Sequence, residues 1–176
     1  MASSNEISMI CDLSASTFLP GEYPVRVFPA DEFRLCTVAM EQYHACWRQC
    51  FRTQIKHDVV WQNACFYAMA YGVEAKATLC PGFTIEQLER KSYHGFAVAT
   101  TRYVTSAGVV TVPSSTILSV EEVMTFPEHR KKKVAQSVLA ALQIRLKEEA
   151  YRYLRLSCKP EMEEFYSKLH FKRQML

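Results

Sequence analysis

Five consecutive basic side chains, His129 to Lys133, immediately precede an amphipathic segment of this sequence. A helix N-terminus presents unpaired N–H groups and about half a positive charge, so each cation in its first turn is disfavoured by about 0.3–1 kcal/mol. The cations are explained if an anion lies among them, and a phosphate group would bind both the N–H groups and the side chains. A solvated basic turn without a ligand is the alternative.

Two elements must position this turn. Val120, Val123 and Phe126 predict a short strand, which ends at Pro127 because proline has no N–H to donate to a ladder. After the turn, apolar residues recur at every fourth position, which predicts an amphipathic helix that begins near Lys133. These apolar residues are Val134, Val138, Leu142, Leu146 and Ala150.

The segment PEHRKKKVAQSVL, Pro127 to Leu139, resembles the acyl-CoA-binding signature of the GCN5-related N-acetyltransferase (GNAT) superfamily. That signature is Arg or Gln, two residues, Gly, one residue, then Gly or Ala. Arg130 and Ala135 match it, whereas Lys133 stands where the first glycine belongs and would either crowd the phosphate or pair with it. The resemblance implies that acetyl-CoA is the co-substrate and that this turn holds its pyrophosphate. The cofactor-binding residues of the turn would be Arg130, Lys131, Lys132, Lys133, Val134 and Ala135.

The segment EEFYSKLHF, Glu163 to Phe171, resembles the second signature of the same family, a Phe-Tyr pair on a helix followed by a Leu-Gly-Phe turn. Tyr166 matches the family's frequent general acid, whose phenol protonates the departing thiolate of coenzyme A. An ordinary core tyrosine is the alternative. The sequence departs from the family at His170, which replaces the glycine, and at Lys159, which replaces a common asparagine.

The strand before the basic turn carries the remaining site residues. The resemblance implies that the main chain at Val123 and Thr125 holds the pantetheine arm. Glu121 is predicted to be the general base, because strand alternation places it on the same side as these two residues. Glu122 would then face the opposite side. Both glutamates could equally be polar strand residues without a catalytic role.

Composition predicts a single globular domain. The chain has 176 residues, of which 49% are hydrophobic and 22% charged. A net charge of +3 is too small to indicate nucleic acid as the main partner. The seven cysteines are typical of a reducing compartment, and no membrane-spanning run or targeting peptide is recognisable. The sequence therefore indicates a cytoplasmic protein, with a mitochondrial location left open.

The predicted fold is α/β (α+β), a GNAT-like mixed central sheet that is mostly antiparallel and has helices on both faces. Apolar residues at helical spacing predict helices at Phe33 to Phe51 and Asp58 to Tyr71. The capping-box spacing of Thr84 and Gln87 predicts a short third helix through Arg90. Runs rich in Val, Thr and Phe predict strands at Val25 to Phe28, Gly95 to Thr101, Gly108 to Val112 and Thr116 to Phe126.

One other group of residues has the spacing of metal ligands. Cys46 and Cys50 lie four positions apart on a predicted helix, with His44 nearby, so two thiolates on one helical face could share a zinc ion. No second pair of cysteines or histidines has clear ligand spacing. Both thiols are therefore predicted to be buried core residues, and no metal site is predicted.

Residues 1–24 are predicted to be an N-terminal extension of a domain that comprises residues 25–176. The extension is expected to dock on its own domain, on a second copy or on another protein partner. The chain ends five residues after Phe171, whereas family members usually continue into a hairpin that walls the acceptor site. The acceptor site would be completed by the extension, by another subunit, or not at all.

Two functions are consistent with these observations. The first is an acyl-CoA-dependent N-acetyltransferase that acts on an unidentified amine. The second is a catalytically inactive acetyltransferase-like subunit with a structural role in a large assembly, such as a ribosomal or other organellar complex. Lys133, the absent hairpin and the N-terminal extension are the three features that favour the second function.

Overall fold

The computed structural model describes residues 6–50, 54–72, 93–105 and 107–174. Its strands are β1 (Ile7–Asp12), β2 (Val25–Pro29), β3 (Ala64–Tyr71), β4 (Tyr93–Thr100), β5 (Arg102–Thr105), β6 (Gly108–Thr111), β7 (Ile117–Thr125), β8 (Tyr153–Cys158) and β9 (Lys172–Arg173). Seven of them form a central sheet in the order β2-β3-β4-β7-β8-β1-β9, and β5 and β6 form a separate hairpin. Strands β7 and β8 run parallel, whereas the other neighbours in the central sheet are antiparallel. The prediction of a mixed, mostly antiparallel sheet is confirmed.

Helices cover both faces of this sheet. They are α1 (Ala30–Arg34), α2 (Thr37–Cys50), α3 (Gln54–Asn63), α4 (Val134–Glu148) and α5 (Glu163–Ser167). Helices α1 to α3 pack on one face of the sheet, here named the α2 face, on which Tyr67 and Phe96 lie. Helices α4 and α5 pack on the opposite face, named the α4 face, on which Ala68 and Val120 lie. None of the described helices is long and apolar enough to cross a bilayer.

The N-terminal strand β1 lies inside the central sheet. It pairs with β8 from Ile7↔Cys158 to Asp12↔Tyr153 and with β9 at Ile10↔Lys172. The side chains that it presents to the α4 face are fully buried, namely Met9 and Cys11, followed by Leu13 just beyond the strand. The sequence predicts an extension ahead of a domain that starts at residue 25, whereas the structure places residues 7–12 within the same sheet.

The segment between β1 and β2 runs across helix α4. The Lys147 ammonium donates a 2.7 Å hydrogen bond to the carbonyl oxygen of Ser16. The backbone N–H of Tyr23 donates to Ser137 Oγ at 3.1 Å. Between these contacts, a Cβ on Gly21 would lie 2.4 Å from Ser137 Oγ, so only glycine permits the chain to pass this close to the helix. The N-terminal segment therefore docks on its own chain.

The predicted helix from Asp58 to Tyr71 is wrong in its second half. Helix α3 ends at Asn63, and the chain continues as strand β3 from Ala64. Strand β3 lies between β2 and β4, and its last six residues are buried. Its sequence is correspondingly apolar at nearly every position. A strand buried on both faces lacks the alternation of an exposed strand, and apolar residues at helical spacing then occur within it by default.

Other predicted elements differ in smaller ways. The predicted helix from Phe33 to Phe51 is divided into α1 and α2, which are separated at Leu35 and Cys36. The predicted strand from Gly108 to Val112 forms β6, which pairs with β5 rather than with the central sheet. Strand β4 consequently pairs directly with β7. The predicted helix from Thr84 to Arg90 lies outside the described residues.

Candidate functional site

A wedge opens between the parallel strands β7 and β8. Their ladder is three residues long and ends at Ser119 and Arg155. Beyond that point β7 remains paired with β4 as far as Thr125, and β8 remains paired with β1 as far as Cys158. Because each strand follows a different neighbour, the main chain of β7 has no strand partner on this side within the described residues. Such a gap can accept an extended ligand that carries amide groups.

Main-chain groups of β7 face this wedge. The backbone N–H of Phe126 donates to the carbonyl oxygen of His94, near the start of β4, at 2.9 Å. Because successive residues of a strand direct their main-chain groups to opposite sides, those of Val123 and Thr125 face away from β4. They therefore line the wedge, at the two positions where the sequence predicts contacts with pantetheine.

A β-bulge interrupts β7 at Glu122. Val98 of β4 pairs with Glu121, and Phe96 pairs with Met124, so β7 has one residue more than β4 over this stretch. Glu122 has a φ of 54°, which lies in the left-handed region that non-glycine residues rarely occupy. A bulge next to a main-chain gap changes the direction of the side chains at the site, and this one affects both glutamates.

The bulge breaks the strand alternation on which the prediction of Glu121 as general base rests. Glu121 faces the α2 face of the sheet, whereas Val123 packs on the α4 face, so the two do not share a side. The Glu121 carboxylate accepts a 3.0 Å hydrogen bond from Ser119 Oγ and lies 3.8 Å from the Arg155 guanidinium. Burial has the largest effect on the pKa of Arg155 and lowers it, whereas the negative charge of Glu121 acts to raise it. Glu121 therefore balances a buried cation.

Glu122 is the acidic end of a buried hydrogen-bonded chain. It accepts a 3.0 Å hydrogen bond from the hydroxyl of Tyr43, and its Oε2 lies 3.0 Å from His57 Nδ1. The other ring nitrogen of His57, Nε2, lies 3.0 Å from His44 Nδ1. Trp47 stacks on the His57 ring at a centroid distance of 4.1 Å. Glu122 and His57 are each 4% exposed, so helices α2 and α3 hold this chain away from water.

The chain leads from the interior towards the surface. Burial, followed by the charge of Glu122, raises the pKa of Tyr43 well above its ordinary value, so the phenol stays protonated and donates to the carboxylate. Burial, followed by the proximity of His57, lowers the pKa of half-buried His44, which favours its neutral form. A carboxylate joined to two imidazoles can accept a proton inside the protein and pass it outwards.

The predicted general acid, Tyr166, lies on α5 on the α4 face. Its ring packs edge-on against Phe165 and Phe171, at centroid distances of 5.0 and 5.9 Å. Burial, followed by the proximity of Cys158, raises the pKa of Tyr166 to about 12. Within the described residues its hydroxyl makes no hydrogen bond. Tyr166 is thus a protonated phenol beside the end of β8.

A cavity of about 320 Å³ lies at the start of α4. Its lining residues come from β7, the basic turn, α4 and α5, and are Thr125, His129, Arg130, Lys131, Lys133, Val134, Ala135, Gln136 and Phe165. Lys132 lies exposed in the same turn. The helix has no side-chain cap at its N-terminus, and the first N–H groups of a helix have no partner within it. Cations and free N–H groups therefore surround one cavity.

Lys133 retains the backbone conformation of a glycine. It is the residue before α4, and its φ of 65° is left-handed. That conformation costs about 1–2 kcal/mol for a residue with a side chain. The ammonium group of Lys133 lies 3.2 Å from the Glu22 carboxylate in an exposed ion pair. The backbone of the turn thus follows the same path that a glycine at this signature position would allow. The side chain of Lys133 pairs with Glu22.

Gly95 permits the close approach of α4 to the sheet. A Cβ at this position would lie 2.6 Å from the carbonyl oxygen of Met124 and 2.7 Å from Val134 Cγ1. Any side chain would therefore push the first turn of α4 away from β4 and β7. The absence of a side chain brings the start of the helix next to the wedge.

A second cavity, of about 350 Å³, lies next to Arg155. It is lined by residues of β1, β5, β7 and β8 and of neighbouring loops, namely Glu6, Ser8, Ile10, Tyr103, Pro113, Ile117, Arg155 and Gln174. The Arg155 guanidinium lies 3.7 Å from the centroid of the Tyr103 ring and donates to Ser119 Oγ at 2.8 Å. The N-terminal strand supplies part of this wall.

Sequence reasoning missed His57 and assigned His44 only to a metal alternative. The two histidines lie on different helices and meet Glu122 of β7 through tertiary packing, so sequence spacing does not connect them. No cluster of three or more histidine, cysteine or acidic residues with metal-ligand geometry occurs in the described part of the chain.

No family model and no curated protein matches this sequence. Solved structures do resemble it. A GNAT-family protein from Novosphingobium aromaticivorans superposes with a TM-score of 0.59 at 11% identity, over 96% of this chain and 59% of that one. A GCN5-related glucosamine N-acetyltransferase region of a fungal multi-domain β-N-acetylglucosaminidase gives a TM-score of 0.60 at 10% identity, over 99% of this chain and 20% of that one.

A tandem GNAT protein from the clavulanic acid biosynthesis pathway gives a TM-score of 0.56 at 13% identity, over 98% of this chain and 51% of that one. The chain thus spans less than two thirds of the length of each of these proteins. At such low identity the similarity concerns the fold. The fold of this protein is GNAT-like, as the two sequence signatures predict.

Proposed function

We propose that this protein is an acyl-CoA-dependent N-acetyltransferase that transfers acetyl from acetyl-CoA to an amine by direct attack. The wedge between β7 and β8 is the observation that supports this function best. It joins a main-chain edge that can bind amide groups to a cavity that can bind phosphates, and ionisable groups suited to proton transfer lie on either side of it.

Binding of the co-substrate would involve two parts of the chain. The main chain of Val123 and Thr125 would hydrogen-bond the pantetheine amides along the wedge. The pyrophosphate would lie in the cavity at the start of α4, where unpaired N–H groups and exposed cations favour an anion. The residues of that turn are Arg130, Lys131, Lys132, Lys133, Val134 and Ala135.

The two proton transfers of the reaction require a general base and a general acid. An attacking amine must lose a proton, and Glu122, with His57 and His44 behind it, can accept that proton and lead it outwards. The departing thiolate needs a proton, and Tyr166 holds one at neutral pH because burial raises its pKa to about 12. In this proposal Glu122 replaces Glu121 as the base, and Tyr166 remains the acid.

The amine acceptor would enter from the side of the second cavity. Arg155, which pairs with Glu121, lines that cavity, and β1 forms part of its wall. This proposal lets the N-terminal strand contribute to the acceptor site, because Ser8 and Ile10 line that cavity. The nature of the amine follows from none of these contacts.

A structural subunit without catalysis stays a second prediction with weaker support. Lys133 keeps the backbone course of a glycine and pairs with Glu22, so it does not argue against a phosphate in the cavity. The N-terminal segment supplies a strand to its own sheet, so its order needs no partner. Both observations remove reasons for the second function and favour the enzyme.

Acetyl-CoA is expected to raise the melting temperature of the protein. A ligand at a hundredfold excess over its Kd adds about 2.7 kcal/mol to the free energy of unfolding. For a domain of this size the shift should be about 5–10 °C. Differential scanning fluorimetry with millimolar acetyl-CoA measures it, and the absence of a shift would contradict binding.

A pair of matched variants tests where acetyl-CoA binds. Lys131→Ala combined with Lys132→Ala removes two exposed cations from the turn and should reduce the shift. Arg48→Ala combined with Arg102→Ala removes the same charge elsewhere, and it should leave the shift unchanged. Equal loss in both variants would indicate non-specific attraction of the polyanion instead of a site at α4.

Tyr166→Phe is expected to lower turnover by about 10²-fold, because it removes a proton donor and leaves the packing surface intact. The Kd of acetyl-CoA should stay nearly unchanged. Release of free thiol from acetyl-CoA, measured with a panel of primary amines, gives the rate. An unchanged rate under conditions where chemistry limits turnover would leave Tyr166 as a core residue.

A further inference from the structure

A second reactive cluster lies at the end of helix α2. Cys50, the last residue of α2, has its Sγ 3.6 Å from Nη2 of Arg130. The thiol form of Cys50 donates to the carbonyl oxygen of Thr125 at 3.4 Å. Cys46, one helical turn earlier, hydrogen-bonds the Cys50 sulfur. The cluster thus joins α2 to the end of β7 and to the basic turn.

These contacts favour the thiolate of Cys50. The hydrogen bond from Cys46 is the largest cause, and with the help of Arg130 and against the effect of burial it lowers the pKa of Cys50 to about 6. The same hydrogen bond raises the pKa of Cys46, which therefore remains a thiol and a donor. Loss of the proton exchanges the weak bond to Thr125 for a charge-assisted contact with Arg130.

None of the other described cysteines combines partial exposure with contacts that lower the pKa of its thiol. Cys11, Cys36, Cys46 and Cys158 are buried, and Cys65 is half-buried like Cys50. Burial raises the pKa of the Cys65 thiol, so an accessible sulfur alone does not give a thiolate. Cys65 is consequently an internal control with similar exposure and the opposite electrostatics.

We propose that Cys50 is a modification site for hydroperoxides and soft electrophiles, defined by its cluster with Cys46 and Arg130. With a hydroperoxide, the Cys50 thiolate attacks one peroxide oxygen. An S–O bond forms and the O–O bond breaks. The sulfur is oxidised by two electrons, and the leaving hydroxide or alkoxide takes a proton from water. The product at Cys50 is a sulfenic acid.

Cys46 does not trap this product as a disulfide while α2 is intact. Cβ atoms four residues apart on a helix are about 5–6 Å from each other, whereas a disulfide requires about 3.5–4.5 Å. The sulfenic acid therefore persists, and Arg130 loses its anionic partner. Because Arg130 also lines the cavity at α4, modification of Cys50 alters a wall of that cavity.

Alkylation of the full-length chain by iodoacetamide across a pH series tests the site, with peptide-level mass spectrometry following Cys50 and Cys65 separately. The midpoint of the pH profile is the readout, because a thiolate of low pKa is also intrinsically less nucleophilic. Cys50 should have a midpoint near pH 6, and Cys65 should have one above the ordinary thiol value, because burial raises its pKa. A Cys50 midpoint at the ordinary thiol value would overturn the proposal.

Variants identify the groups responsible. Arg130→Gln should move the Cys50 midpoint upwards, whereas Arg102→Gln, at an exposed site elsewhere, should not. Cys46→Ala should also raise the midpoint, and Cys46→Ser, which keeps a hydrogen-bond donor, should largely restore it. After treatment with hydrogen peroxide, dimedone should label Cys50. Labelling of Cys65 without Cys50 would disprove the site. So would a Cys50 midpoint that stays unchanged in the Arg130 and Cys46 variants.

Discussion

Glu122→Gln is expected to lower turnover of the proposed reaction by about 10²–10⁴-fold, the usual contribution of a general base. Glutamine has the same shape and can still accept hydrogen bonds from Tyr43 and His57, but it cannot take a proton. The free energy of unfolding should therefore change little. Thiol release from acetyl-CoA gives the rate, and urea unfolding gives the stability.

Glu121→Gln is the matched control, because the same change is made one residue away in the same strand. The Glu121 carboxylate lies 3.8 Å from the buried guanidinium of Arg155, and its loss leaves that cation without a balancing charge. The cost should be as much as about 3 kcal/mol of stability. Turnover at a temperature where the variant is folded should remain close to that of the unmodified chain.

The two glutamates should therefore have opposite signatures: a loss of rate at Glu122 and a loss of stability at Glu121. Equal loss of rate in both variants, or full turnover in Glu122→Gln, would contradict the assignment of the base. The pH profile gives a further check. A relay through His44 requires its neutral form, and since burial lowers its pKa below the ordinary value of 6.5, activity should persist below that pH and fall on further acidification.

The sequence predicts the strand, basic turn and helix of the site because their signals are local. Pro127 ends β7, and apolar residues at every fourth position define α4. The bulge at Glu122 has no such signal, since neither glycine nor a turn residue marks the extra position. Its effect on the site is large, because the extra residue turns Glu122 to the α2 face, where it meets the buried His57.

Long-range packing explains the other differences. His57 reaches Glu122 only because α3 packs on β7, and strand β3 lacks alternation because it is buried on both faces. The N-terminal strand did leave a signal that could have been used. Met9, Cys11 and Leu13 are apolar at every second position, with polar Ser8 and Asp12 out of phase, which is the period of a strand with one buried face.

Removal of residues 1–13 is expected to abolish cooperative folding of the remaining chain. Strand β1 separates β8 from β9, and its loss would remove the β1 partners of all six β8 residues, of which only three also pair with β7, and uncover the α4 face. Circular dichroism and hydrogen exchange would detect the loss of the sheet. A truncated chain with the unfolding midpoint of the full-length protein would show that β1 is an accessory.

Single substitutions in β1 and directly after it provide a graded form of this test. Met9→Ala and Leu13→Ala each remove a fully buried side chain and should cost about 2–5 kcal/mol of stability. Ser8→Ala changes an exposed residue of the same strand, and it should remain within about 0.5 kcal/mol of the unmodified chain. Similar values for Met9 and Ser8 would contradict the position of β1 in the sheet.

A peptide of residues 1–13 should restore folding of the truncated chain in trans, because an extended segment can add to the free edge of β8 through main-chain hydrogen bonds. The same peptide with Met9→Asp and Leu13→Asp would place charges against the apolar α4 face and should fail to do so. If both peptides act equally, or neither acts while the truncated chain stays folded, the sheet does not depend on the N-terminal strand. Rescue by the unmodified peptide alone would establish that this strand completes the fold.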